Sequence, residues 1–326
     1  MHIVFAPVAQ LDRAPDYESG GREFESLPAR QVRFLIMIKL NNIQKGTLLA
    51  FIGVMIVTPD TLLIRMVSLD TWSLLFYRSL FPSLALFLGY LILFKDRTFT
   101  DFYNIGIPGV INALCVLGGN ITFIFALAYT NVANALIMIS LIPLTAALFS
   151  SIFLKEKSLP ITWISMIACL LAVIFIFYES YSLGRFLGDF FGLLCACFVG
   201  ASLTVMRSYS KINFVPSYIL GKFLTAVFAL PFVVTFVIVG FDLIFTSLMI
   251  ITVGVSFVFI SLAPQYISSP QVGIFFLLET ALGPLWVWLF IAEEPTKNTL
   301  IGGAVIILII FFHSLYIIGK EKGTSG

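Results

Sequence analysis

The sequence predicts an all-α integral membrane protein whose ten transmembrane helices form two inverted five-helix repeats. Three observations carry that prediction: the composition, the length and number of the apolar runs, and an internal repeat. Of 326 residues, 60% are hydrophobic and 11% charged, against roughly 45–50% and about 25% in a soluble globular chain. The charges are also crowded at the start, because residues 1–36 carry nine of the 36 Asp, Glu, Lys and Arg side chains. So few charges cannot cover the surface of a water-soluble fold. A net charge of +2 without a basic patch gives no reason to expect nucleic acid as a partner.

Taken in order, the chain opens with "VAQLDRAPDYESGGREFESLPARQ" (8–31), which holds eight charged residues and no apolar run. It has neither the 7–15-residue apolar core of a secretory signal nor apolar positions at helical spacing. It resembles a translated tRNA gene, and the expectation is a mis-called or disordered leader over 1–36, with Met37 opening "MIKLNNIQKGTLLAF". Runs long enough to cross a bilayer, about 17–25 residues each, then follow at 46–64, 71–94, 104–127, 132–153, 160–178, 186–207, 214–238, 246–267, 272–291 and 297–318. Two connections, "YTNVAN" and "ISSPQV", are very short, but merging either pair would leave a span far too long. Span 1 carries Asp60 after Pro59; span 2 carries Trp72 as an interface anchor, then Tyr77 and Arg78. Pro82, Pro108, Pro143, Pro231, Pro264 and Pro284 are read as helix interruptions, tolerated where neighbours satisfy the freed carbonyls. Gly184, Gly188, Gly192, Ala196 and Gly200 recur every four residues, and from Gly188 on they put a stripe of small residues on span 6, where another helix can approach closely. Cys115, Cys169, Cys195 and Cys197 lie in apolar runs and read as packing residues.

The loop charges set the orientation. With the N-terminus inside, the inner segments hold Lys39, Lys45, Lys95, Arg97, Lys155, Lys157, Arg207, Lys211, Lys320 and Lys322, while the outer ones hold Arg65, Arg185 and Lys297. That positive-inside bias predicts two cytoplasmic termini.

The repeat aligns "ALAYTNVANALIMISLIPLTAALFSSIFLKEK" (126–157) with "APQYISSPQVGIFFLLETALGPLWVWLFIAEE" (263–294) without gaps. Tyr129 meets Tyr266, Leu141 meets Leu278, and Glu156 meets Glu293. At the start of each half Gly46, Arg65 and Ser68 meet Gly188, Arg207 and Ser210, and Arg78 faces Lys222. An odd number of spans per copy turns the second copy upside down, which is the signature of secondary transporters with a midplane site between the halves. The expected divisions are a leader at 1–36, a first repeat at 37–178, a second at 179–319 and a cytoplasmic tail at 320–326.

The two five-helix halves, "FYRSLF" early in the second helix and "NALIMISLIPLTAALFSSIFLKEK" together resemble the EamA-type members of the drug/metabolite transporter superfamily, over about 46–318. The resemblance implies exchange of amino acids or other small metabolites across the bacterial inner membrane by alternating access, commonly outward. Thr280 stands where the first half has Pro143, so the second half departs from the usual pattern.

Ionisable residues inside the membrane are functional hypotheses by default. The expected substrate-binding residues are Asp60, Arg78, Lys222 and Glu279, with the aromatics Tyr77, Tyr129 and Trp286. Counting residues from the span ends puts Asp60 and Arg78 in the outer half and Lys222 and Glu279 in the inner half, so two separate ion pairs are expected. Only His2 and His313 are present, without a P-loop or metal spacing, so no enzyme, cofactor or metal is expected. The expected partners are a small-molecule solute and the lipid bilayer, with a homodimer left open. A non-transporting membrane scaffold or sensor is the alternative function.

Overall fold

In the computed structural model residues 41–154, 160–182 and 184–324 are described, and every regular element among them is helical. The leader and Glu156 lie outside the described residues. Helix α1 (Asn42–Val57) begins at a capping box, with Asn41 Oδ1 accepting from Gln44 N at 2.8 Å and Gln44 Oε1 accepting from Asn41 N at 3.0 Å. It stops before Pro59, which has no N–H and whose ring clashes with the preceding turn. The chain resumes as α2 (Asp60–Met66), so the first span is a broken rod. Next come α3 (Thr71–Phe94), α4 (Arg97–Asn104), α5 (Gly106–Tyr129), α6 (Val132–Ile139), α7 (Ile142–Phe153), α8 (Pro160–Ser182) and α9 (Phe186–Ser208). After them follow α10 (Val215–Ala229), α11 (Gly240–Met249), α12 (Ser256–Leu262), α13 (Ser269–Ile291) and α14 (Lys297–Thr324).

Eight rods among the described residues are long and apolar enough to cross a membrane: 42–66, 71–94, 106–129, 132–153, 186–208, 215–232, 240–265 and 269–291. Helices α8 and α14, where the sequence puts the fifth and tenth spans, are 23 and 28 residues long and pack on one another. The described residues are those of an all-helical integral membrane protein. Its outer surface fits lipid: Leu88, Ile92, Leu114, Trp288, Leu289 and Phe290 are exposed while Asn112, Ser202, Ser217 and Thr225 are buried.

Three expectations change. The run 214–238 is not one helix. Helix α10 closes in a 3-10 turn at Leu230–Phe232, and residues 233–239 are irregular. Pro231 removes a backbone donor, and the β-branched run Val233, Val234, Thr235, Val237, Ile238 and Val239 resists helix by its stiff χ1. The segment is held instead by Ser73, whose Oγ accepts from Val234 N and Thr235 N at 3.2 and 3.0 Å, and by Tyr77, whose hydroxyl donates to Phe236 O at 2.8 Å. Pro82 and Pro284 sit inside continuous helices, and Pro108 occupies the first turn of α5, where its missing donor costs nothing. The short helix α4 is an element that no span accounts for.

The packing joins early and late parts of the chain. Helix α5 lies against α9 and α10, α3 against α10, α1 against α12 and α13, and α7 against α9 and α13. The small-residue stripe makes this possible. A Cβ on Gly188 would sit 2.5 Å from Thr130 N, and one on Gly192 would sit 2.9 Å from the Met138 Cβ. Gly184 belongs to the preceding turn, at φ +70 with nothing within 4 Å.

Candidate functional site

Asp60, Arg78, Lys222 and Glu279 are all buried, at 0%, 3%, 1% and 5% exposure. Local structure delivers each of them. The break at Pro59 makes Asp60 the first residue of α2, where a carboxylate is favoured by the free N–H groups. There its Oδ2 accepts from Arg78 Nε at 3.2 Å and from Nη2 at 2.5 Å. Its Oδ1 accepts from the Thr252 hydroxyl at 3.1 Å. Thr252 lies in a π-helical turn, Ile250–Val255, whose Val253 carbonyl accepts from the Tyr218 hydroxyl at 3.1 Å as well as from Ser256 Oγ. Such turns concentrate at functional sites because they re-aim side chains and release backbone groups.

Asn120 ties the cluster together. Its amide donates to Val116 O at 2.7 Å, which turns Oδ1 toward the cations. That one oxygen accepts from Arg78 Nη1 at 3.1 Å and from Lys222 Nζ at 2.5 Å. Arg78 also lies over the Phe123 ring, 4.9 Å from its centroid, and Lys222 lies 5.9 Å from that of Tyr218. Both stacks are within reach of cation–π attraction.

The cluster borders a cavity of ≈ 80 Å³, several times the roughly 10–15 Å³ that one water needs by the same measure. Arg78, Asn120, Tyr218 and Glu279 are among its polar groups, and Phe123, Phe257 and Phe276 supply much of its apolar wall. It extends toward Ser202, Met206 and Ser261, near the end of the bundle that carries Arg207.

The opposite end is closed. Arg65 Nε stands 3.1 Å from Glu293 Oε2, and Arg65 Nη2 donates to Thr130 O at 3.0 Å. Glu293 Oε1 accepts from Val132 N at 2.8 Å, so one ion pair joins three helix ends. Ser68 N donates to Asp242 Oδ1 at 2.9 Å beside it.

The expected Asp60–Arg78 pair is present. The expected Lys222–Glu279 pair is not. The ion pairs within 4.0 Å among the described residues are Arg78–Asp60 and Arg65–Glu293, and Lys222 bonds to Asn120 instead. Nor are there two layers, since Arg78 and Lys222 share one acceptor. The misplacement follows from span 7: its helical rod runs only from Val215 to Phe232, so Lys222 is near its middle rather than near one end. The three aromatic candidates stand apart from the cavity. Tyr77 holds the irregular segment, Tyr129 is half exposed and stacked on Phe125 and Phe191, and Trp286 Nε1 donates to Thr58 Oγ1 at 3.4 Å. Asn120, Thr252, Tyr218 and Phe123 are the site residues that sequence reasoning missed. Asp189, also missed, is buried in the first turn of α9, where Asn134 Nδ2 donates to it at 3.5 Å.

Residues 44–178 match the EamA-like transporter family. A solved structure described only as "Crystal structure of protein" is 18% identical, covers 83% of this chain and 97% of its own, and superposes with a TM-score of 0.60. At that identity the likeness shows a shared fold. No curated protein matches the chain.

Proposed function

We propose, from the premise that residues 44–178 are an EamA-type segment of a membrane transporter, that the whole protein is a secondary transporter. It moves a small organic metabolite, an amino acid or similar carboxylate-bearing solute, across the bacterial inner membrane by alternating access, in the outward direction. The chain crosses ten times, α8 and α14 supplying the fifth and tenth crossings, with both termini cytoplasmic and the two halves inverted. One observation carries this reading: four buried ionisable side chains from α2, α3, α10 and α13 gather in one cluster, and two of them, Arg78 and Glu279, line a cavity. Charges at that depth are expensive and mark solute or ion pathways. On the positive-inside orientation the Arg65–Glu293 closure is the outer end, so this state is closed outside while its cavity leans inward. Outward opening then requires that closure to part.

Purified protein in liposomes should exchange a preloaded metabolite for its labelled counterpart, and Arg78→Ala should abolish exchange while leaving a folded, membrane-inserted chain. A scaffold or sensor would bind without exchange. Full exchange by Arg78→Ala would overturn the reading.

A further inference from the structure

The four charges of the cluster are unequal. Asp60 and Arg78 are locked to each other by two hydrogen bonds and form a neutral unit. Lys222 and Glu279 are not locked. Lys222 donates to an uncharged oxygen, Asn120 Oδ1. The Glu279 carboxyl borders the cavity at 5% exposure and meets no hydrogen-bond or ion-pair partner among the described residues. The charged and titratable groups around them are few. Glu279 faces Asp60 on α2, Arg78 on α3 and Cys195 on α9, and Lys222 faces Arg78, Asp60 and Tyr218. Helices α6 and α7, packed on α13, carry no ionisable side chain, and α1 has only Lys45 near its start.

Two consequences follow from proton and donor counting. Lys222 and Glu279 together hold one proton, which leaves the cluster neutral whichever of them carries it, or two, which leaves it at +1. An uncompensated charge in a poorly hydrated cavity is costly, so the second proton enters only with an anion. A guanidinium has five N–H donors and an ammonium three. Arg78 uses three and Lys222 one, so four N–H groups around Asn120 are unspent.

We infer that Lys222 and Glu279 make the cavity a proton-coupled anion site, taking up one small organic carboxylate together with one proton. The carboxylate lies against the unspent N–H groups of Arg78, with the Lys222 charge held behind Asn120. The apolar body lies against Phe123, Phe257 and Phe276, and the proton rests on Glu279 while Lys222 stays charged. Release reverses both events, and the cluster returns to neutrality. This rests on the transporter reading for its role in a cycle, but the binding step stands without it.

The test is calorimetric binding to the purified full chain, with three probes that share a branched apolar body. These are isobutyrate (anion), valine (zwitterion) and isobutylamine (cation). Isobutyrate should bind best, its Kd rising about tenfold per pH unit over the range where the proton must be supplied, with one proton taken up per anion in buffers of different ionisation enthalpy. Lys222→Arg, a cation that does not give up its proton, should keep both isobutyrate binding and the proton uptake, because Glu279 still titrates. Lys222→Arg with Glu279→Gln should bind isobutyrate with no proton uptake and a flat pH profile. Lys222→Gln should lose binding, and Lys222→Arg with Glu279→Asp should restore the uptake, so a misfolded Gln variant does not hide the result. Proton uptake unchanged in Lys222→Arg with Glu279→Gln overturns the inference. So does valine or isobutylamine binding more tightly than isobutyrate, or no binding of any probe. Coupled binding in detergent without exchange in liposomes would sink the transporter reading and leave the site standing.

Discussion

The two arginine–carboxylate pairs of this protein have the same chemistry and opposite surroundings. Arg78–Asp60 has side chains 4% and 0% exposed, and Arg65–Glu293 has side chains 28% and 26% exposed. Breaking a buried pair by removing one partner costs about 3–5 kcal/mol because the other charge is stranded. A partly exposed pair contributes about 0–1 kcal/mol, since water takes over when it parts. Burial therefore divides the labour: the buried pair is framework beside a cavity, and in the proposed cycle the partly exposed pair is a closure weak enough to open.

The first way to break that comparison is Asp60→Ala. It strands Arg78 and should lower stability by about 3–5 kcal/mol in a thermal or denaturant melt of the purified protein. Asp60→Ala with Arg78→Leu should recover most of that loss. Next in size is Asn120→Leu, which takes the shared acceptor from two buried cations. It should destabilise by about 1–3 kcal/mol and stop exchange. Gly188→Val acts at the other end, forcing a side chain into the Thr130 backbone. Overpacking of this kind costs about 1–3 kcal/mol, and labelling of a cysteine at Ser68 from the Arg65 side should rise as that end is pried apart. Smallest is the closure itself. A double-mutant cycle on Arg65→Ala and Glu293→Ala should give a coupling of roughly 0.2–1 kcal/mol that weakens with salt. A coupling of several kcal/mol would make the pair framework rather than closure.

How far the sequence reaches depends on the kind of information each feature needs. Apolar runs were enough to find most of the long helices, because span length and composition are local. The Asp60–Arg78 pair was legible too, since two intramembrane charges on consecutive spans joined by a short loop must be neighbours. The depth of Lys222 was not, because it depends on where span 7 ends. The effect of Pro231 and its β-branched followers outweighed the hydrophobicity of 233–238. Asn120 carries no local signal at all: it is one uncharged polar residue in an apolar run, and matters only through bonds to side chains 42 and 102 residues away. Glu293 was visible as a partner of Glu156 in the repeat, but its pairing with Arg65, 228 residues distant, needs the assembled fold.

The central claim is that the Arg65 end parts while the Arg78–Asp60 pair holds. It is tested most directly by replacing Arg65 and Glu293 with cysteines in a chain lacking Cys115, Cys169, Cys195 and Cys197, and bridging them with a short cleavable thiol-to-thiol linker. The bridged protein should lose exchange in liposomes and regain it when the linker is reduced, with its solute affinity unchanged throughout. Exchange at the full rate with the bridge in place would contradict the account.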